Sequence, residues 1–202
     1  MSAVPADVGH QVVFDINGKE IDLANYRELL IGCGNRSTKQ IKFQFVPPQF
    51  QNLTRLDIDP DCKPDVLWDL NKLPLPFEDN SFDEIHAVDI LEHTGQQGDW
   101  RFFFAQFEEF WRILKPGGYL VGACPKWDSP WAWADPGHSR VISPHTLIFL
   151  NQDGYNQVGQ TPMTDYRHVY KGNFRTAVTT EDVPNGPGSS EDKWGFVLVA
   201  VK

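Results

Sequence analysis

Leu29-Leu-Ile-Gly-Cys-Gly34 and Leu56-Asp-Ile-Asp-Pro60 decide how this chain is read. The first is an apolar strand running into a Gly-x-Gly turn. The second is the end of the following strand, marked by carboxylates. In an α/β sheet this pairing holds a nucleoside: glycine lets the backbone pass close to the ligand, and an acid accepts hydrogen bonds from ribose hydroxyls. A dinucleotide fingerprint needs a third glycine at position 37, where a helix N-terminus cradles a pyrophosphate. Ser37 stands there. The pattern therefore favours a nucleoside without phosphates.

Outward from these segments, strands and helices alternate. Strands are predicted at 27–31, 53–58, 65–69, 82–88 and 119–123, and two more at 172–180 and 194–201. From 101 to 114 the residues Phe103, Phe104, Phe107, Phe110, Trp111 and Leu114 recur at helical spacing and read as a core-facing stripe. Pro116-Gly117-Gly118 stops that helix. Ser143-Pro144 opens another, with serine as N-cap, running to about Asn151. The stretch 35–52 is the exception. A doubly wound fold expects a helix there, but the polar run, the alternation over Ile41-Lys-Phe-Gln-Phe45 and Pro47-Pro48 predict at most a weak helix or an insertion. Residues 126–142 form an aromatic loop, and 184–190 a flexible one. Alternating strands and helices argue a mostly parallel sheet covered on both faces.

The 202 residues make one domain of ordinary globular composition, 41% hydrophobic and 22% charged. Within 1–202, residues 1–24 read as an N-terminal extension and 126–172 as a substrate-facing loop and helix insert. A formal net charge of −9 argues against a protein that grips nucleic acid through its phosphates. Cys33, Cys62 and Cys124 are odd in number and form no CxxC pair, which points to a reducing compartment without structural zinc. The first residues lack the basic and apolar regions of a signal peptide, and no apolar run reaches membrane-spanning length. A cytoplasmic location with no membrane partner is the expectation.

Several segments, in this order and spacing, resemble the class I S-adenosylmethionine-dependent methyltransferases. They are Ile31-Gly-Cys-Gly34, Leu56-Asp-Ile-Asp59, Asp69-Leu70 with Leu75-Pro-Phe77, Ser81-Phe-Asp-Glu-Ile85, Ile90-Leu-Glu-His93 and Arg112-Ile-Leu-Lys-Pro-Gly-Gly118. The run most resembles the subgroup with an SFD…LEH…LKPGG pattern, whose members act on varied small molecules and glycans. The resemblance implies a single Rossmann-like domain with a seven-stranded, mostly parallel sheet, helices on both faces and an antiparallel last strand. It implies S-adenosylmethionine as cofactor, S-adenosylhomocysteine as product and a small-molecule acceptor with an oxygen or nitrogen nucleophile. A protein that binds the same cofactor without transferring methyl is the alternative. Two positions depart from the family pattern. Leu30 replaces the acid usual two residues before the first glycine, leaving Glu28 or Asp89 to meet the methionine amino group. Arg36 stands where a third glycine is common.

Cofactor contacts are expected from Gly32, Cys33, Gly34, Asp57, Ile58, Asp59, Asp69, Leu70 and Asp89. Asp57 and Asp59 compete for the ribose, with Asp57 favoured at the strand end. Asp69 and the Leu70 amide suit the edge of adenine. His93 and His138 are candidates to orient the acceptor or take its proton. Trp127, Trp131, Trp133 and Arg140 are candidates for acceptor binding, since indole faces hold planar or cationic groups. Tyr166, His168 and Tyr170 are placed around the same cleft. No spacing compels a metal site, and none is expected.

Overall fold

The computed structural model describes residues 12–180 and 192–202; the loop expected at 184–190 lies outside them. Seven strands form one sheet in the order β3-β2-β1-β4-β5-β7-β6. They are β1 (Arg27–Ile31), β2 (Asn52–Asp57), β3 (Val66–Leu67), β4 (Phe82–Val88), β5 (Leu114–Pro125), β6 (Phe174–Thr180) and β7 (Lys193–Ala200). The pairs β1–β2, β1–β4, β2–β3 and β4–β5 are parallel. The last strand, β7, runs antiparallel between β5 and β6. The expected α/β class and the antiparallel last strand are both present.

Side-chain alternation divides each central strand between two cores. Leu29, Ile31, Ile85, Leu120, Phe196 and Leu198 face α1 (Trp100–Ile113), which contributes Phe103, Phe104, Phe107 and Phe110. Asp99 caps this helix by accepting from the Phe102 N–H at 3.1 Å. No loop follows it: the last helical residue is Ile113 and the first of β5 is Leu114. Pro116-Gly117-Gly118 thus lies inside the strand, in a register shift against β4, with Gly117 at φ +78°. The predicted helix at Ser143 ends early. Its α-helical part, Pro144–Leu147, carries the serine cap and gives way to a 3₁₀ turn over Ile148–Leu150.

The opposite face is covered without a helix. Between β1 and β2 the chain stays irregular, and Ile41 and Val46 pack on Val88, Tyr119, Val121, Ala123, Val197 and Val199. Pro47-Pro48 and the alternating run preclude a regular helix. A buried ion cluster anchors the segment. The fully buried Lys39 Nζ lies 2.6 Å from Glu28 Oε1 and 2.9 Å from Glu84 Oε2. Glu84 also binds His86 and accepts from the Tyr26 hydroxyl at 3.1 Å. The Phe50 ring stands edge-on to His86, and Lys39 lies over it at 5.3 Å. Burial pushes the Glu84 carboxyl up, but His86 and Lys39 outweigh it and hold it below the usual range.

Lys39→Met is expected to lower stability by about 3–5 kcal/mol, because it leaves two buried carboxylates without their cation. Urea unfolding monitored by tryptophan fluorescence measures it; an unchanged midpoint would show that the cluster does not anchor this face.

Candidate active site

The parallel strands β1 to β4 all finish at one edge, where open α/β sheets bind ligands. Gly32 and Gly34 follow β1 with φ of +60° and +50°, a region side chains rarely adopt. Their reasons differ. A Cβ on Gly32 would meet Ile90 Cγ1 at 2.5 Å, whereas one on Gly34 would meet nothing within 4 Å. Gly32 lets β1 and the β4 loop close together; Gly34 leaves open space above the turn.

Asp57, the last residue of β2, ties that turn down. Its Oδ2 accepts from the Gly34 N–H at 2.7 Å and its Oδ1 from the Asp59 N–H at 2.9 Å. A cleft of about 140 Å³ opens beside it, lined by Gly32, Asp57, Ile58, Asp69, Leu70 and His93, among others. Arg36 does not plug it: its guanidinium turns to Gln40 Oε1 at 2.9 Å. Trp68, Asn71, Ile90 and Thr94 complete the lining, and none of these was singled out from sequence. Each adjoins a residue that was, so adjacency was the available signal. Asn71 bridges two loops, accepting from the Gly95 N–H at 2.8 Å while Asp69 Oδ1 accepts from its own N–H at 2.9 Å.

Other expected cofactor residues stand aside from this cleft. Asp59 caps the 3₁₀ turn Pro60–Cys62 through the Asp61 N–H, 2.9 Å away. Cys33 is buried, and its N–H donates to Leu56 O at 3.2 Å. Asp89 pairs with Lys193 at 2.7 Å, and Glu28 is committed to Lys39.

His93 and His138 come together, ring centroids 4.7 Å apart and edge to face. His93 Nδ1 lies 3.1 Å from Gly137 O. A carbonyl only accepts, so Nδ1 is the protonated nitrogen and Nε2 carries the free lone pair in the neutral ring. Asp135 Oδ1 accepts from the Gly137 N–H at 2.7 Å, and its Oδ2 lies 4.0 Å from His138 Nε2. Beside the pair lies Glu92, 2% exposed. The Cys124 thiol is the one weak donor beside its oxygens, and His138 Nδ1 has no partner among the described residues. Burial pushes the Glu92 carboxyl up to about 7. Its role was missed because the sequence carries no sign that this glutamate is buried.

Arg140 is buried as well. It donates to Leu91 O at 2.8 Å and Thr94 Oγ1 at 2.8 Å, and to Gln106. With Trp100, Phe103, Phe104, Phe149 and Tyr166 it lines a largely apolar cavity of about 200 Å³. His93 and Thr94 line the cleft while Gln96 and Gln97 line this cavity, so one short segment borders both. The three tryptophans border neither. Trp127 packs edge-on to Trp194 and His145, and Trp131 and Trp133, in α2 (Trp131–Ala134), are 40% and 69% exposed. Tyr170 is buried against Phe104, and His168 lies near Trp100.

Residues 29–122, which carry the cleft, match the family model described as a methyltransferase domain. That segment is a methyltransferase domain by this match. Solved methyltransferases share its fold at low identity. The N-methyltransferase NodS of Bradyrhizobium japonicum, in complex with S-adenosylhomocysteine, aligns with a TM-score of 0.53 at 16% identity, covering 88% of this chain and 79% of that one. A chain from the complex of the Haloferax volcanii Trm112 methyltransferase activator with a putative methyltransferase gives 0.53 at 15%, covering 94% and 85%. A methyltransferase from Archaeoglobus fulgidus gives 0.50 at 16%, covering 86% of each. No curated protein matches the sequence. Among the described residues of this methyltransferase, no helix is long and apolar enough to cross a membrane.

The open space at Gly34 and the acids at Asp57 and Asp69 fit the adenosine part of the cofactor. Asp57→Ala is expected to weaken S-adenosylmethionine binding by about 10- to 100-fold, the scale of one hydrogen bond to a charged group. Both Gly32→Ala and Gly34→Ala are expected to lower the melting temperature through their positive φ, Gly32→Ala the more so through its clash with Ile90, while Gly34→Ala also lowers cofactor affinity. Calorimetric titration and thermal unfolding read both; equal affinity in Asp57→Ala would remove that residue from the site.

Proposed function

We propose that this methyltransferase carries the methyl group to an oxygen or nitrogen of a small molecule. The apolar cavity bordered by the same loop as the cleft supports this reading. At about 200 Å³ it suits a single substituted ring, since cavities of about 150 Å³ already admit benzene. The formal charge of −9 makes a nucleic acid a poor partner. The three free cysteines fit a reducing cytoplasm.

The cofactor brings a methyl group already activated on a sulfonium. What remains for the protein is to hold, align and deprotonate. Backbone at Gly32, Cys33 and Gly34 gives the cofactor its close approach; Asp57 takes the ribose, and Asp69 with Leu70 and Ile58 encloses the base. Asp59 and Asp89 keep the neighbouring loops in shape. Trp100, Phe103, Phe104 and Tyr166 hold the acceptor ring, with Arg140 closing the wall; the indoles of Trp127, Trp131 and Trp133 belong to the outer part of the same 126–172 segment. Alignment of this kind can supply several kcal/mol, up to about 7–11 in well-oriented cases. His93 lines the cleft three residues before the loop reaches the cavity, and with His138 it meets the nucleophile and draws off its proton.

Incubation with S-adenosylmethionine and a panel of single-ring alcohols, phenols and amines is expected to yield S-adenosylhomocysteine and a methylated ring, read by mass spectrometry. Gln96→Trp, which fills the cavity mouth, is expected to raise the acceptor KM by about tenfold or more with cofactor affinity unchanged. Labelling of nucleic acid or protein alone would overturn the acceptor class. Cofactor binding with no product across the panel would favour a ligand sensor.

A further inference from the structure

We propose that Glu92, His93 and His138 form a binding site for one divalent transition-metal ion on the His93 side of the cleft. The inference rests on the reading that acceptor and cofactor meet there, and it changes how the acceptor is activated. One ligand atom from each of the three side chains lies within 4.8 Å of the other two. Metal–nitrogen bonds of about 2.1 Å permit ligand atoms up to about 4.2 Å apart, so a small rotation of the exposed His93 closes the set.

The polar groups there are otherwise unexplained. Glu92 has both oxygens buried with only the Cys124 thiol as a weak donor beside them, and His138 Nδ1 is buried without a partner among the described residues. Of the nearby cations, Lys193 is engaged by Asp89, and Arg140 spends Nε and Nη2 on Leu91, Thr94 and Gln106; its Nη1 is buried without a hydrogen-bond partner among the described residues, so it acts on Glu92 only through its charge. A buried carboxylate met only by a weak thiol donor and an unsatisfied ring nitrogen in one place are costly unless something binds them.

The outer contacts fit the assignment. Metal-bound imidazoles usually give their second nitrogen to a carbonyl or carboxylate, which fixes ring and tautomer. His93 Nδ1 meets Gly137 O at 3.1 Å, and His138 Nε2 faces Asp135 Oδ2 at 4.0 Å. Gly137 permits this closeness, since a Cβ there would stand 3.1 Å from His93 Nδ1. Two imidazoles and one carboxylate suit Zn²⁺, Mn²⁺ or Fe²⁺ better than Mg²⁺. Three protein ligands leave positions for the acceptor. A hydroxyl bound there loses its proton to solvent more readily, as metal-bound water does. Its oxygen then forms the new bond to the methyl carbon as the carbon–sulfur bond breaks, the electron pair returning to sulfur. The favoured acceptor is therefore an alcohol or phenol.

The test is metal binding by the full chain, without cofactor. Zn²⁺ titration calorimetry is expected to show one site, and Co²⁺ substitution a visible spectrum of mixed nitrogen and oxygen ligation. Glu92→Gln keeps the shape of the buried side chain, and it and His138→Ala are each expected to weaken Zn²⁺ by at least the 10- to 100-fold, roughly, that loss of an outer partner costs. S-adenosylmethionine affinity should remain at the wild-type value in Glu92→Gln. Absence of Zn²⁺ binding, equal affinity in both variants, or a thiolate band in the Co²⁺ spectrum would overturn the site. Loss of cofactor binding by the wild-type protein would instead count against the reading of the cleft, because the metal titration does not depend on it.

Discussion

A single ammonium group decides how one whole face of the sheet is covered. A sheet flanked on both sides must bury both, and this chain spends its long helix, α1, on one of them. On the other, an irregular segment with little hydrogen bonding of its own must be held in place. Lys39 does so by entering a fully buried position between Glu28 and Glu84, carrying the segment with it. With that charge pairing in place, Ile41 and Val46 are delivered onto Val121 and Val199. The same arrangement accounts for Leu30. Leu30, two residues before the first glycine, is buried in β1, and the nearest acid, Glu28, serves the fold.

From that scaffold the site follows by chain geometry. Gly32 lets the β1 turn touch Ile90, and Asp57 pulls the Gly34 amide toward β2. The cleft is thus a product of backbone shape, with two carboxylates at its rim. The loop after β4 then carries the chain from His93 in the cleft to Gln97 in the cavity.

Local features were legible in the sequence where one residue type has one physical meaning. The Gly-x-Gly turn, the phenylalanine stripe of α1, the serine cap at 143 and the central strands were read because spacing and conformation are local properties. Asp57 and Asp59 were separable only in space, since either could end the strand; the 3₁₀ turn at Pro60 takes Asp59 as its cap. Lys39 was illegible because a lysine in a polar run reads as surface. Density of tryptophan in 127–133 suggested a binding wall, yet Trp133 projects into solvent and the enclosed aromatic wall comes from α1 and Tyr166. Glu92 joined the two histidines only when the chain folded back between distant segments.

Arg140 reaches from the loop after β5 to the backbone of Leu91, the hydroxyl of Thr94 and the amide of Gln106. Three elements that could drift independently are thereby fastened at one planar head group, whose burial holds its own pKa down to about 10. The wall of the cavity is rigid before anything enters it. A guest of any kind would meet a wall already fastened at that point, with less ordering left to be done on binding.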